Sequence, residues 1–179
     1  AAIAALADTP LADLAYTAYL QGKFYFKRGG DGDMRRALEY LHEAVRLDPA
    51  FAPAWAMLSR AIVSAWNFER LIEFKQARED AQRAAERALA LDSELPESHI
   101  AKGEIEFYCE WDWSAADGSF KEALDLDPNN ADALDDRVED LPRWIGGSQF
   151  RKVPVSKQQR GERFPIRLRL DLRQFGDNS

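Results

Sequence analysis

Leu38-Glu39-Tyr40-Leu41-His42-Glu43-Ala44-Val45-Arg46-Leu47-Asp48-Pro49 reads as an amphipathic helix followed by a stop. The phrase returns as Phe120-Lys121-Glu122-Ala123-Leu124-Asp125-Leu126-Asp127-Pro128. It returns again, without the proline, as Ala84-Ala85-Glu86-Arg87-Ala88-Leu89-Ala90-Leu91-Asp92-Ser93. A helix-and-stop phrase written three times predicts a repeat architecture, in which each unit buries its apolar face against the next. The stop itself is physical: the residue before a proline is pushed out of the α region.

Working outward, the first phrase is preceded by Gly29-Gly30-Asp31-Gly32-Asp33, a turn signal. Asp33 is placed to cap the helix that runs to Leu47, its carboxylate accepting from the first-turn amides. Before the turn, Leu14, Tyr16, Tyr19, Leu20, Phe24 and Phe26 give a broad apolar helical face from Leu11 onward. Residues 1–10 are alanine-rich and read as a leader or the end of an upstream helix. They lack the basic start of a signal peptide. Pro53 opens a third helix with an apolar stripe of Ala54, Trp55, Leu58, Ile62 and Trp66, and Asn67 falls near its end. Residues 70–91 contain no glycine or proline and predict one long helix, with Phe74 the place for any break. Pro96 opens a fifth helix through Ile100, Gly103, Ile105 and Phe107 to Cys109. Asp112 is the expected N-cap of the sixth, with Trp111 before it as a hydrophobic staple. Asn129-Asn130 makes the next turn, and residues 131 to about 139 begin a seventh helix.

After Leu141-Pro142 the pattern changes. Residues 141–179 carry nine Lys/Arg against three Asp/Glu, a net of +6, which leaves the rest of a chain of net charge −7 strongly acidic. Phe164 to Arg173 alternates apolar and charged residues, a strand pattern without an evident partner strand. The tail is read as weakly ordered or strand-like, folding back on its own acidic body. No apolar run approaches the roughly 20 residues that span a bilayer. Cys109 is the single cysteine, which excludes an internal disulfide and fits a reducing, cytoplasmic setting.

Three helix pairs with these stops resemble tetratricopeptide repeats, whose unit is about 34 residues. The first pair supplies Gly22 and Tyr25, then Ala37, Leu41, Ala44 and Pro49. The second supplies Trp55 and Ser59, then Ala81, Ala85 and Ala88, with Ser93 in place of proline. The third supplies Gly103 and Phe107, then Ala116, Phe120, Ala123 and Pro128, and a fourth begins with Ala131 and Leu134. The resemblance covers roughly residues 15–135. It implies an all-α, right-handed α-solenoid of about three helix pairs (about 11–49, 52–93 and 96–128) with a partial fourth at 131–140. The second pair departs by being about ten residues longer. Trp111-Asp112-Trp113-Ser114-Ala115-Ala116, after Glu97 to Gly103, is similar to the repeat region of multidomain bacterial regulators, which place it beside a winged helix, a nucleotide cyclase or a kinase domain.

The chain offers little for catalysis. His42 and His99 share no ligand spacing with Cys109, which reads as a small buried hydrophobe. The glycine turn lacks the lysine and hydroxyl of a phosphate loop. Asp125, Asp127, Asp132, Asp135 and Asp136 do not follow a calcium-loop spacing and read as a solvated acidic surface. The acidic body disfavours nucleic acid. The expectation is therefore a non-enzymatic interaction scaffold, without metal or cofactor, whose partner is a protein, a peptide or another domain of its own chain.

In the family resembled, the first helices line the concave wall. That places Lys23, Phe26 and Lys27, then Met57, Arg60 and Ser64, then Glu104 and Tyr108 along a mixed groove. Phe26, Met57 and Tyr108 have a second reading, as core side chains. The Lys and Asn set of the peptide-carboxylate-binding members does not appear, so chaperone-tail binding is not expected. The seventh helix would need a cover, supplied by the tail, a missing repeat or a second copy of the chain.

Overall fold

The computed structural model describes residues 11–130, 132 and 133. The chain divides into two units, Ala1–Gly147 and Ser148–Ser179, and all of the described residues belong to the first. The leader, most of the partial fourth pair and the tail, with its strand pattern, lie outside the described residues.

Six α-helices are complete among the described residues: α1 (Leu11–Arg28), α2 (Asp33–Leu47), α3 (Ala52–Asn67), α4 (Phe74–Leu91), α5 (Pro96–Ile105) and α6 (Trp113–Leu126). A π-helical turn, Glu106–Glu110, extends α5. They pack as the pairs α1/α2, α3/α4 and α5/α6, with α2 against α3 and both α3 and α4 against α5. This is an all-α helical-repeat solenoid, and the described residues contain no strand.

Each pair is closed by a small residue on its first helix. A methyl group on Gly22 would lie 2.6 Å from Leu41 Cγ and 3.3 Å from the Ala37 carbonyl oxygen. At Gly103 it would lie 2.6 Å from Phe120 Cε1. The second pair reaches the same closeness differently. Ser59 donates its hydroxyl to the Ala81 carbonyl oxygen at 2.8 Å, facing a helix whose buried residues are all alanine. A glycine or serine against a neighbouring helix lets backbones approach, and the larger side chain opposite fills what remains.

The three stops share a device beyond proline. Asp48, Asp92 and Asp127 are each in extended backbone at the helix end, where their own N–H still bonds the helix. Each carboxylate then accepts the N–H two residues on: Ala50 at 2.9 Å, Glu94 at 3.0 Å and Asn129 at 3.1 Å. This aspartate turn explains why the second copy ends on time without a proline. The carbonyl at the following position is also reused. Pro49 accepts from Trp55 Nε1 at 3.0 Å, and Ser93 lies 2.8 Å from His99 Nε2.

Three local expectations are corrected. Asp33 does not cap the first turn of α2; its carboxylate turns back to the Gly30 N–H at 2.8 Å and Arg28 Nε at 2.6 Å. That geometry needs Gly29 and Gly32 at positive φ, 61° and 73°. The helix expected over 70–91 starts at Phe74, and a connection through left-handed Arg70 (φ 53°) precedes it. The fifth helix is not α-helical to Cys109, because the π-helical turn takes over at Glu106 and ends at left-handed Trp111 (φ 57°). The expected Asp112 cap is present, accepting from Ala115 N–H at 3.2 Å.

Candidate functional site

The first helices α1, α3 and α5 carry all but Tyr108 of the side chains expected to line a groove, and Phe26, Lys27 and Glu104 gather around Arg60. Arg60, near the middle of α3, is buried. Its Nε donates to Glu104 Oε1 of α5 at 2.8 Å, and its Nη1 donates to Asp132 Oδ2 at 2.7 Å. The guanidinium carbon stands 5.8 Å from the Phe26 ring centroid of α1. Asp132 also takes Lys27 Nζ at 3.4 Å. One cation thus ties together the first helices of all three described pairs and the start of the fourth.

Burial disfavours the Arg60 charge, but Glu104 and Asp132 more than offset it and hold the guanidinium above its ordinary pKa. Burial likewise opposes the Asp132 carboxylate, while Arg60 and then Lys27 hold it below the usual range. Among the described residues, Glu104 Oε2 has no hydrogen-bond partner, so Glu104 relies on Arg60 through its other oxygen.

The expected groove residues therefore divide. Met57 is buried core. Arg60 and Glu104 are buried against each other and form the floor rather than an open lining, because each supplies the charge the other needs. Phe26 and Tyr108 are half-buried and pack on the core; Tyr108 in the π-helical turn meets Phe107 edge-on at 4.7 Å and Phe68 at 6.2 Å. Lys23 is half-buried with Nζ 5.9 Å from the Tyr19 ring centroid. Lys27 is exposed, and Ser64 is half-buried near the end of α3, where its carbonyl accepts the Phe68 N–H.

Two participants escape the sequence reading. Asp132, expected in a solvated acidic surface, instead bridges Lys27 and Arg60; only position along a fourth first helix could have hinted at it. Phe68, exposed in the lengthened second pair, stands edge-on to Tyr108 of the π-helical turn. Cys109 is buried, and burial pushes its thiol up to about 12, in keeping with a small core residue. Among the described residues, no helix is long and apolar enough to cross a membrane.

No protein-family model and no curated protein matches the sequence. Solved structures do. The chain is similar to the Arabidopsis OM64 TPR domain, with a TM-score of 0.52 and 19% identity over 70% of this chain and 93% of that one. It is similar to the first TPR of Spaghetti (RPAP3) bound to the HSP90 peptide SRMEEVD, with a TM-score of 0.50 and 20% identity over 69% and 87%. The first TPR domain of human RPAP3, solved by NMR, gives 0.51 and 22% over the same shares. With three successive pairs closed by Gly22, Ser59 and Gly103, the described region has the fold of a tetratricopeptide-repeat domain.

Proposed function

We propose that the protein is a non-catalytic interaction module that binds a peptide or protein segment along the face of its first helices. The convergence of α1, α3 and α5 on Arg60 is the observation that carries this reading. It makes a rigid floor from charges already satisfied by each other, and a rigid wall avoids an ordering cost on binding. Around that floor stand Lys23 and Lys27 at one end, and Tyr108 and Phe68 at the other. Cations beside one end and aromatic rings beside the other suit a segment with an acidic and an apolar part. The neighbour bound to an HSP90 peptide illustrates a ligand held by this fold. Here the cationic groups are Lys23, Lys27 and the internally paired Arg60, so the ligand class is left at an acidic-apolar segment. The segment comes from another protein or, if the module serves a larger bacterial regulator, from another domain of the same polypeptide.

A displayed peptide library selected against the full chain tests this. Selected peptides would be titrated by fluorescence anisotropy against the unmodified protein and a Lys23→Ala, Lys27→Ala, Tyr108→Ala variant. Arg60 is spared because it holds the floor. The variant should bind at least about tenfold more weakly, equivalent to about 1.4 kcal/mol, with an unchanged circular dichroism spectrum. Equal affinity, or no peptide enriched at all, would reject this face as the site.

A further inference from the structure

α1 turns an apolar row to solvent. Tyr16, Leu20 and Phe24 recur every four residues and are 53%, 45% and 57% exposed. Aligned on Gly22, Ser59 and Gly103, the position of Leu20 is held by Met57 and Ala101 in the later pairs, and that of Phe24 by Ala61 and Ile105. All four of those residues are buried. Later first helices thus use these positions for packing, while the first pair offers large apolar side chains there that nothing among the described residues covers.

The row has a further property: it is self-complementary. Tyr16 and Phe24 lie four residues to either side of Leu20, and Asp13 and Lys27 lie seven to either side, two turns away on the same face. Two copies of α1 laid antiparallel about a two-fold axis at Leu20 would put Leu20 on the partner's Leu20 and Tyr16 on the partner's Phe24. Asp13 would meet the partner's Lys27 at both ends. Lys27 has donors to spare beyond its 3.4 Å contact with Asp132. A two-fold contact demands this reciprocity, in which residue i meets j and j meets i.

We propose that this face is an isologous dimer interface, occupied by α1 of a second copy of the chain. A contact between two single helices is small, below about 1,200 Å² in total, the size class of weak and transient complexes. Residues 1–10 are the rival occupant.

Sedimentation equilibrium of the full chain provides the test. The unmodified protein should be substantially dimeric at about 100 µM, and Leu20→Glu, which sets two carboxylates against each other, should be monomeric. A chain with Asp13→Lys and a chain with Lys27→Glu should each self-associate at least about tenfold more weakly, since each repeats like charge at both ends. Mixed, the two should form a heterodimer with both ion pairs restored. Circular dichroism would confirm that each exposed-site variant is folded. A monomer at every concentration would mean that residues 1–10 or some other element covers the row, and would overturn the proposal. So would a dimer that survives Leu20→Glu, or variants that fail to pair when mixed.

Discussion

Gly103→Ala is the sharpest probe of the packing rule that builds this fold. The added methyl would lie 2.6, 2.8 and 2.9 Å from three ring carbons of Phe120. Carbon atoms attract at about 3.5–4.0 Å, so each contact is short by around an ångström. Phe120 is 1% exposed and cannot swing aside. Overpacking of this kind costs about 3 kcal/mol, the upper end of the usual range. Alanine is favoured over glycine inside a helix by about 1 kcal/mol, which leaves a net loss of about 2 kcal/mol. In urea, with a slope of about 2 kcal/mol per molar, the midpoint should fall by about 1 M. Gly118 of α6 is the control, because a methyl there meets nothing within 4 Å. Gly118→Ala should stabilise by about 0.5–1 kcal/mol through helix propensity. A double-mutant cycle isolates the cause: in a Phe120→Val background the ring carbons are gone, and Gly103→Ala should become neutral or stabilising. If Gly103→Ala matches Gly118→Ala in the unmodified protein, or its cost persists in Phe120→Val, the close-approach argument is wrong.

Arg60→Ala should cost about 3–5 kcal/mol in chemical denaturation, because it strands the buried Glu104 and half-buried Asp132 carboxylates. Arg60→Met with Glu104→Leu should recover most of that, and an equal loss in both would refute the pairing as the cause. Asp92→Ala should cost about 1 kcal/mol, and Asp48→Ala about half as much, since Pro49 still bars the helix from continuing. Equal losses on thermal unfolding would show that proline adds nothing to the stop. Asp33 and Asp132 both titrate below their ordinary values, Asp33 through Arg28 first and Asp132 through Arg60 against the opposing effect of burial. Their stabilisation is complete above the unfolded carboxylate value of about 4 and is lost as pH falls through the depressed ones. Thermal midpoints should therefore fall below about pH 4, and Asp132→Asn should make that acid limb shallower; an identical limb would exclude Asp132 as a contributor.

What the sequence discloses and what it conceals differ by the distance over which each feature is decided. Gly22, Ser59 and Gly103, with Leu41 and Phe120 opposite two of them, are legible because each pair is a local hairpin, and its packing rule is written within one repeat. The aspartate turns at Asp48, Asp92 and Asp127 are equally local but hide behind a stronger signal, since two of the three precede a proline. The π-helical turn at Glu106–Glu110, closed by left-handed Trp111, leaves no mark on composition or period.

The candidate site is harder for another reason. The family resemblance points Arg60 and Glu104 toward a groove wall, and the structure buries the two against each other. Whether such a residue is open wall or buried floor depends on what stands across from it. For Arg60 those partners lie 44 and 72 positions further along the chain. A charge read as a ligand anchor is therefore better weighed against every opposite charge at the equivalent height of neighbouring first helices. At Arg60 that comparison finds Glu104 one pair on, and Asp132 at the start of the next. Lys23 and Lys27 are more exposed than Arg60, and they carry the cationic part of the binding face proposed above. The same comparison run along the exposed row of α1 finds Leu20 and Phe24 where later pairs have buried residues. It thereby separates positions that meet a neighbour among the described residues from positions that do not.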